Sequence, residues 1–576
     1  MTAIRTEGIP FFSSNRVHRT SQLTCGQRFM WQVLRDLAGI ETFNIFLTIG
    51  VDPPQDIEII KAKIGWFVER QEALRTSFSI GENGDPRQTL RLEGTIPVTI
   101  VDTDDDNVTA LTDYLIGNLK DLPFELPIDL PVRCGIVELN SQPHTVIFAF
   151  SHLVVDGWSS YILKEEFLRI LTGPIEDDAW PRPWSPFDQA DWERSVEGRE
   201  ILNASLSYWK TTVEQFPRAT FYKELGCSQN DRVFRWRSAE LNSPAMGTAA
   251  QLIAERNGVS TATVLLASFA IVISHLVNTK LLATTVDCFN RISDEAASAI
   301  GTYPQEVPVI FNLDMSDFSV ILKQAHFALI NAYLNARAWP PSVEILVREC
   351  GKQRGIKIDL DTFFNFDHKF VNQGMLKKPL DEVKSSIRKD LVSTKIIDRE
   401  PRKFDIHTFS IKSYSRSKIF MLADLNYIEV EKIHQILSCV EGLIVTIALN
   451  PSSDVRTYIK EIGLIGYQPA ANWCYVDRSW IDLRAVTSYF LSLEIISDFS
   501  VFPSKDAEYL IAYYVLRSPD NDAGEIHNLE HADLLVDRST MIPKVFVQCE
   551  RSPTDDKTQE ESWQLVPVLT RAVRTP

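Results

Sequence analysis

The feature that most constrains this 576-residue chain is an alternation of helix-like and strand-like patterns that runs through it twice. Apolar residues at helical spacing predict helices over residues 23–38, 57–71, 249–257, 261–277 and 430–449. Short apolar runs predict strands over residues 98–101, 132–137, 145–150, 282–288, 307–313, 361–366 and 419–425. A chain with this order of patterns is expected to fold as an α/β protein with helices packed on sheets.

Two segments divide the chain into three predicted domains. Residues 179–195 are rich in tryptophan and proline, which is typical of a crossover between two lobes. The predicted helix over 430–449 stops at Asn450-Pro451, and the remaining chain suffices for one small further domain. We therefore predict an N-terminal lobe over 13–180, a second lobe over 181–465 and a C-terminal domain over 466–576.

Composition excludes several classes of protein. The formal net charge of −17 argues against nucleic-acid binding, which needs a basic surface. The first residues lack the pattern of a signal peptide, and no apolar run reaches the length of a membrane span. The eight cysteines show no metal-ligand spacing, which indicates free thiols in a reducing compartment. We expect a cytoplasmic protein that binds neither nucleic acid nor a membrane.

One histidine stands out by its position. His152 closely follows the predicted strand 145–150, and Asp156-Gly157 comes shortly before an amphipathic helix. A histidine where a strand gives way to a loop can project into a cavity and act as a base near neutral pH. Gly157 permits a sharp turn, and Asp156 can orient the backbone or a distant arginine. Taken alone, however, the pattern favours a core histidine beside a turn.

The residues around His152 resemble a motif of the condensation domains of nonribosomal peptide synthetases. That motif reads His-His-x-x-x-Asp-Gly, followed by an aromatic residue and Ser, and it comes after a strand of this kind. Ser151 stands in place of the first His, and the residues that match are His152, Asp156, Gly157, Trp158 and Ser159. The family relies on the second His, so the resemblance favours a catalytic role for His152.

Five further motifs resemble those of the same family and occur in its order. They are Leu23–Trp31, Arg70–Phe78, Phe187–Trp192, Asn290-Arg291 and Ile300–Ile310. Each alone could be scaffolding, but their common order supports the resemblance up to about Pro451.

The chain departs from the family pattern at several positions. Gln71 replaces a His in the second of these motifs. In the last motif Gln305 replaces an Asn, Glu306 a Thr and Ile310 an Arg. These departures cluster where the substrates or the second lobe meet the active site in the family. They are expected either to alter substrate choice or to reduce catalysis while binding is retained.

The resemblance implies an α/β fold of two chloramphenicol-acetyltransferase-like lobes in a V-shaped pseudo-dimer, followed by a small α/β C-terminal domain. His152 is expected in a tunnel between the lobes and is the implied base, with Asp156 and Gly157 as further catalytic residues. Arg291 and Trp158 are expected to support the site, Arg291 through an ion pair with Asp156 that ties the two lobes. The candidate substrate-binding residues are Ser151, Ser159 and Gln305.

The resemblance further implies a free-standing enzyme of secondary-metabolite or antibiotic biosynthesis. It would transfer an acyl or peptidyl group from a carrier-protein thioester to an amine, giving an amide. The chain would bind no metal or cofactor itself, since a carrier protein presents phosphopantetheine in trans. The acceptor would be a small amine or a second carrier-bound substrate, and the protein a monomer. The alternatives are an ester-forming acyltransferase, an epimerisation domain and a silent module that recruits a carrier or a tailoring enzyme.

The C-terminal residues resemble the small subdomain of adenylation enzymes. The resemblance rests on Val476–Leu483, Ala507–Val515 and Met541–Val547. That family next carries Pro-x-Thr-x-x-Gly-Lys, whose lysine contacts the acyl-adenylate, but Pro553–Lys557 is shortened and lacks the glycine. We therefore predict a non-catalytic remnant or docking module, with Lys557 as a surface lysine.

Two other patterns carry no predicted site. His527–His531 matches the His-x-x-Glu-His pattern of zinc proteases, but it has no supporting context and is read as chance. The acidic run Asp104–Asp106 is read as a solvated loop.

Overall fold

The computed structural model describes residues 3–13, 17–36, 43–104, 108–120, 122–173, 182–222, 234–313, 317–366, 379–401, 405, 407–451, 454–461, 463–518, 524, 526, 531 and 533–574. The chain forms two compact units. Unit 1 comprises Met1–Leu206, Cys288–Gln305 and Asn335–Pro340, and unit 2 comprises Ser207–Asp287, Glu306–Leu334 and Pro341–Pro576. The three-domain division made from the sequence stays a prediction.

Unit 1 is built on a five-stranded sheet and a three-stranded sheet. The strands are β1 (Ala3–Phe12), β2 (Thr20–Gln22), β3 (Asn44–Gly50), β4 (Thr76–Ile80), β5 (Pro86–Leu90), β6 (Glu93–Thr103), β7 (Val132–Leu139) and β8 (Gln142–Ser151). The helices in this part of the chain are α1 (Cys25–Asp36), α2 (Ile57–Arg70), α3 (Val108–Lys120), α4 (Gly157–Thr172), α5 (Pro186–Glu193) and α6 (Val196–Val213). The larger sheet has the order β1-β6-β7-β8-β3, and the smaller has the order β2-β5-β4.

Strand β8 lies within the five-stranded sheet and is buried on both faces. The ring of Phe148 lies 5.3 Å from that of Phe67 on α2 and 4.9 Å from that of Phe167 on α4. The next residue back, Ile147, packs in a cluster with Leu115 of α3. Because alternate residues of a strand face opposite sides, helices cover the sheet on both faces here. The residue after β8 is therefore held at the end of a rigid strand.

Unit 2 is built on a seven-stranded sheet with the order β11-β10-β12-β14-β15-β9-β13. Its strands are β9 (Trp236–Asn242), β10 (Leu281–Cys288), β11 (Gln305–Asn312), β12 (Thr362–Phe366), β13 (Lys395–Asp398), β14 (Phe409–Ser415) and β15 (Lys418–Asp424). The helices along this stretch are α7 (Pro244–Asn257), α8 (Thr261–Leu276), α9 (Asp294–Ser298), α10 (Phe318–Leu334), α11 (Pro340–Arg354), α12 (Leu380–Asp390), α13 (Val430–Leu449) and α14 (Val455–Glu461). Helix α9 belongs to the Cys288–Gln305 segment of unit 1.

Two helical features of unit 2 have the length and composition of membrane spans. Within the described residues, these are α13 and, if its 107° bend is disregarded, the pair α7 and α8. Just over half of α13 is buried inside the protein. Helix α8 is buried along almost its whole length, which is typical of a core helix.

The C-terminal residues add a small α/β region to unit 2. Its strands are β16 (Trp473–Val476), β17 (Ser479–Asp482), β18 (Ile496–Pro503), β19 (Leu510–Leu516), β20 (Val545–Cys549) and β21 (Val568–Val573), and its helices are α15 (Leu483–Leu491) and α16 (Glu560–Gln564). Strands β16 and β17 pair as a hairpin, and the other four form a sheet in the order β18-β19-β20-β21.

Two arginines, Arg218 and Arg538, join this C-terminal region to the rest of unit 2. Arg218 is fully buried, and its guanidinium donates to the carbonyl oxygens of Lys357 at 2.7 Å, Leu535 at 2.5 Å and Asp537 at 2.7 Å. Arg538 reaches back to the carboxylate of Asp361 at 3.0 Å. Since buried guanidinium groups need their acceptors, these contacts hold the region in one position.

Candidate active site

His152 is the first residue after β8, at the point where the chain turns toward α4. The N–H groups of Val154 and Val155 donate to the carbonyl oxygen of Ser151 at 3.0 and 3.3 Å, which closes the turn directly behind the strand. The N–H of His152 donates to the carbonyl oxygen of Phe43 at 3.2 Å. The Phe43 ring also stacks on the imidazole, with centroids 6.2 Å apart. The main-chain hydrogen bonds thus fix the backbone at His152, and the Phe43 ring lies beside the imidazole.

The imidazole of His152 is uncharged at neutral pH. Burial lowers its pKa below the ordinary value of 6.5, while nearby backbone groups and the Asp156 carboxylate oppose the shift without reversing it. Its Nδ1 is buried and has no hydrogen-bond partner among the described residues. A histidine whose pKa lies below 6.5 is neutral near pH 7, which is the protonation state that a general base requires.

Asp156 organises the loop between His152 and α4. It is the N-cap of α4, and its carboxylate accepts a hydrogen bond from the Ser159 N–H at 2.7 Å. Both carboxylate oxygens lie 2.9 Å from Nη2 of Arg291, and one accepts from the N–H of Tyr303 at 3.3 Å. This fully buried carboxylate therefore joins the start of α4 to the segment 288–305.

Arg291 is held by more than its ion pair. Its side chain is 4% exposed, and Nη1 donates to the carbonyl oxygens of Ala296 at 2.7 Å and Ala299 at 2.8 Å. Its guanidinium carbon lies 4.5 Å from the centroid of the Tyr303 ring. The segment that carries Arg291 belongs to the same compact unit as Asp156. The ion pair therefore joins two sequence-distant parts of unit 1, and the predicted tie between two lobes stays a prediction.

The other residues proposed for the site form hydrogen bonds within the chain. Ser159 Oγ donates to the carbonyl oxygen of Gly301 at 2.7 Å, and Trp158 Nε1 donates to that of Ala297 at 2.9 Å. The amide of Gln305 donates to the carbonyl oxygen of Ala338 at 2.7 Å, and Ser151 Oγ lies 3.3 Å from the Leu153 N–H. Ser151, Ser159 and Gln305 are each at most 5% exposed. These contacts support scaffold positions, and a substrate-binding role for them stays a prediction.

Gly157 differs from the expectation that it permits a sharp turn. Its φ angle is not positive, and the turn behind β8 is closed by Ser151 instead. Gly157 is exposed at the start of α4, and a methyl group added there would meet no atom within 4 Å. Because glycine has no side chain, this position leaves open space beside the His152 loop.

Replacing Gly157 with alanine tests whether a substrate approaches this position. We expect Gly157→Ala to leave the midpoint temperature of thermal unfolding unchanged, because the new methyl group enters open space. The same variant should slow any reaction whose substrate fills that space. Thermal unfolding and a product assay measure the two effects. As a contrast, Gly26→Ala should lower the midpoint, because its Cβ would lie 2.2 Å from the Thr302 carbonyl oxygen. Unchanged product formation by Gly157→Ala would show that substrate does not approach there.

Tyr303 carries a buried hydroxyl that has no hydrogen-bond partner among the described residues. We expect Tyr303→Phe to raise the free energy of unfolding by about 1 kcal/mol, since it removes an unsatisfied polar group and keeps the ring beneath Arg291. Tyr208→Phe is the matched control, because its hydroxyl donates to the Pro308 carbonyl oxygen at 2.8 Å and its loss should destabilise. Urea unfolding measures both changes. An equal loss of stability in the two variants would contradict this assignment.

Two of the other sequence motifs position α1 and α4. Thr24 and Gln27 form a capping box at the start of α1, and the Gln27 amide donates to Gln88 at 3.0 Å. Arg70 and Gln71 both donate to the Glu166 carboxylate on α4, at 2.8 and 2.8–2.9 Å. Gln71, which departs from the family pattern, thus helps to anchor the helix that follows the His152 loop.

Sequence reasoning missed three contacts of the candidate site. Phe43 stacks on His152, Thr302 donates its hydroxyl hydrogen to the His152 carbonyl oxygen, and Tyr303 lies under Arg291. Thr302 and Tyr303 belong to the motif Ile300–Ile310, so the family resemblance could have indicated that they lie near the site. Phe43 lies outside every motif and had none.

No group of three or more metal-ligating side chains occurs among the described residues. Of the His527–His531 pattern, residues 527–530 lie outside the described part of the chain. His531 lies with Nε2 2.8 Å from the Ile526 carbonyl oxygen and Nδ1 3.2 Å from the Tyr489 hydroxyl. Of the acidic run Asp104–Asp106, Asp105 and Asp106 are likewise outside the described residues.

Lys557 is half-exposed and pairs with the Asp498 carboxylate, which fits the predicted surface lysine.

Comparison with known proteins places these features in context. The sequence profile described as "Condensation domain" matches residues 17–460. A similar curated protein is phosphinothricin tripeptide synthetase PhsC of Streptomyces viridochromogenes, 27% identical over 201 residues, which are 34% of this chain and 18% of that protein. Nonribosomal peptide synthetase TES of Alternaria alternata is 23% identical over 314 residues, 53% of this chain and 6% of that protein. The chain thus spans less than a fifth of the length of these relatives.

Solved structures share the fold at low sequence identity. The condensation domain of the monacolin K polyketide synthase MokA has a TM-score of 0.58 at 14% identity, over 76% of this chain and 99% of that one. The X-domain from teicoplanin biosynthesis, solved in complex with OxyB, has a TM-score of 0.58 at 12% identity, over 79% and 98%. The first condensation domain of the calcium-dependent antibiotic synthetase, solved with a substrate analogue, has a TM-score of 0.53 at 14% identity, over 76% and 98%. The predicted chloramphenicol-acetyltransferase-like α/β fold is confirmed.

Proposed function

Because this chain belongs to the condensation-domain family, we propose that it transfers a carrier-bound acyl or peptidyl group to an amine and so forms an amide. The observation that carries the proposal is the neutral imidazole of His152, whose buried Nδ1 has no hydrogen-bond partner among the described residues. The open space beside Gly157 leaves room for a substrate next to the same loop. Together they support a role for His152 as a base with a substrate bound beside its loop.

In the proposed reaction, His152 accepts a proton from the amine as its nitrogen attacks the thioester carbonyl carbon. The C–N bond forms, the C–S bond breaks, and the thiolate of the carrier leaves and takes up the proton. The N–H of Gly157 lies in the first turn of α4, where backbone N–H groups have no intrahelical acceptor. We assign it to the developing oxyanion. Asp156 and Arg291 hold this loop in position.

The proposal includes the partners that such a reaction needs. The acyl donor is a carrier protein that acts in trans and presents its phosphopantetheine thioester, and the chain itself supplies no cofactor. The acceptor is a small amine or a second carrier-bound substrate. We place the reaction in the cytoplasm, where acyl carriers and reduced thiols occur together, and we propose a monomer.

The test is amide formation with purified components. The protein is mixed with carrier proteins loaded with different acyl thioesters and with a panel of amines, and products are identified by mass spectrometry. We expect a product that requires the thioester, the amine and the protein together. Ester formation with hydroxyl acceptors would keep the acyl-transfer chemistry but replace the amine as acceptor. Absence of product while the carrier still binds would overturn the enzymatic proposal.

A second candidate function follows from one comparison. The chain has the fold of an X-domain that was solved in complex with OxyB, and Ser151, Gln305 and Ile310 depart from the condensation pattern. A module that recruits a carrier or a tailoring enzyme without catalysis would retain the fold but would not need the base. Carrier binding that persists unchanged in a His152 variant, with no product from either protein, would favour this function.

A further inference from the structure

Unit 1 contains a polar cavity whose lining includes none of the residues assigned to the candidate active site. Its volume of about 310 Å³ falls within the range of small-molecule sites, at the lower end. We refer to this space as the arginine cavity, because three arginines contribute to its lining. All of the lining residues belong to unit 1, and they are Val17, Arg19, Glu72, Arg75, Leu90, Arg182 and Asp188.

Two of the three arginines share the two carboxylates of the lining. Nη1 of Arg19 lies 3.4 Å from the Glu72 carboxylate and 2.9 Å from that of Asp188. Nη2 of Arg182 lies 3.3 Å from the Glu72 carboxylate and 3.1 Å from that of Asp188. Glu72 begins a short helical turn before β4, and Asp188 lies in the first turn of α5. These ion pairs therefore hold the turn and the helix on the two sides of the cavity.

The third arginine, Arg75, forms no ion pair among the described residues. It is 5% exposed, and its Nε and Nη1 donate to the carbonyl oxygens of Glu69 at 2.7 Å and Arg91 at 2.9 Å. Its Nη2 has no hydrogen-bond partner within the described part of the chain. Burial lowers the pKa of Arg75, and the charges of Glu72 and Glu69 offset this only in part. A buried guanidinium that lines a cavity thus keeps one nitrogen for an acceptor from outside.

The charges in the lining do not cancel. Three arginines face two carboxylates, those of Glu72 and Asp188, which leaves a net charge of +1. Asp191 lies outside the lining and is shared, since it pairs with Arg194 at 2.6 Å and with Arg19 at 3.1 Å. One negative charge therefore balances the cavity, whereas a doubly charged anion would be repelled more strongly by the two carboxylates.

We propose that the arginine cavity binds the carboxylate of a small organic molecule, with Arg75 Nη2 and the Arg182 guanidinium as donors. Arg182 is 57% exposed, and its Nε and Nη1 have no hydrogen-bond partner among the described residues. Hydrogen bonds from a guanidinium to a carboxylate are charge-assisted and among the stronger ones in proteins. The proposal does not depend on amide formation, because no residue of the lining takes part in that reaction.

A cationic ligand is the alternative that the two carboxylates of the lining raise. Both carboxylates, however, already accept from Arg19 and Arg182, while the donor of Arg75 has no acceptor. A bound cation would also increase the positive charge of the lining. The contacts and the charge therefore both favour an anion.

The test is equilibrium binding of butyrate and of butyramide, a neutral molecule of similar size and shape. Isothermal titration calorimetry of the full chain should show about tenfold or greater preference for butyrate. Arg182→Gln should reduce this preference and leave thermal unfolding nearly unchanged, because the side chain is largely exposed. Glu72→Gln should strengthen butyrate binding, because it removes a negative charge from the lining. A cation site would show the opposite effect in Glu72→Gln.

Arg194→Gln is the matched control, since Arg194 is 42% exposed at the end of α5 and does not line the cavity. It removes the same charge as Arg182→Gln and should keep the preference of the wild type. Equal binding of the two probes by the wild type would overturn the site, as would an undiminished preference in Arg182→Gln. Tighter binding of inorganic phosphate than of butyrate would overturn the assignment to a carboxylate. Thermal unfolding of each variant separates loss of binding from loss of folding.

Discussion

Replacing Arg291 with methionine is expected to lower the free energy of unfolding by about 3–5 kcal/mol, because it leaves the Asp156 carboxylate buried without its cation. The pair is almost completely excluded from water, with side chains 4% and 0% exposed. The same change removes hydrogen bonds to Ala296 and Ala299, which hold the segment 288–305. Urea unfolding of the purified variant measures the loss.

Two further variants identify the origin of this effect. Arg35→Ala removes an arginine of unit 1 that is 66% exposed and should change stability by less than about 0.5 kcal/mol. In the double variant Arg291→Met, Asp156→Asn, the amide still caps α4 and no charge is stranded, so part of the stability should return. A loss for Arg291→Met no larger than that for Arg35→Ala would show that the ion pair does not hold the loop.

Replacing His152 with alanine is expected to lower kcat/KM for amide formation by about 10²–10⁴, the contribution of a positioned general base. His144→Ala is the matched control, because His144 is exposed on the same strand, β8, and should react as the wild type does. Mass spectrometry of product against time compares the two variants. Equal rates for wild type and His152→Ala would remove His152 from the mechanism.

The pH dependence gives an independent measure of the same residue. Since burial lowers the pKa of His152 below 6.5, the base is already unprotonated at pH 7. The rate should be flat around neutral pH and should fall on acidification, with its midpoint below 6.5. The unfolded chain binds the proton at a higher pH than the folded one, so His152 makes stability fall as pH drops through 6.5 toward the folded pKa. His152→Gln should remove this part of the acid sensitivity.

Local patterns predicted most elements near the site. The helix predicted over 430–449 is observed as Val430–Leu449, and the helix predicted over 57–71 is observed as Ile57–Arg70. The strand predicted over 145–150 is observed as Gln142–Ser151 and ends one residue before His152. These elements were predictable because their apolar periodicity is strong and their ends carry turn or cap residues.

What the sequence could not predict depends on contacts between distant residues. The predicted substrate-binding role of Gln305 stays a prediction, but no local pattern indicated that its amide donates to the carbonyl oxygen of Ala338, 33 positions away. Gly157 looked like a turn residue, but the turn is closed through Ser151. The strand order of the seven-stranded sheet could not be predicted either, because no local pattern encodes which strands become neighbours.

The buried guanidinium of Arg218 bears on how this chain can be recombined with others. A chimaeric synthetase is most simply made by cutting at the end of the family match, near residue 460. Such a cut would remove the carbonyl oxygens of Leu535 and Asp537 and leave a buried cation with fewer acceptors. The smallest transferable piece of this protein is therefore one that keeps the C-terminal region together with the condensation fold.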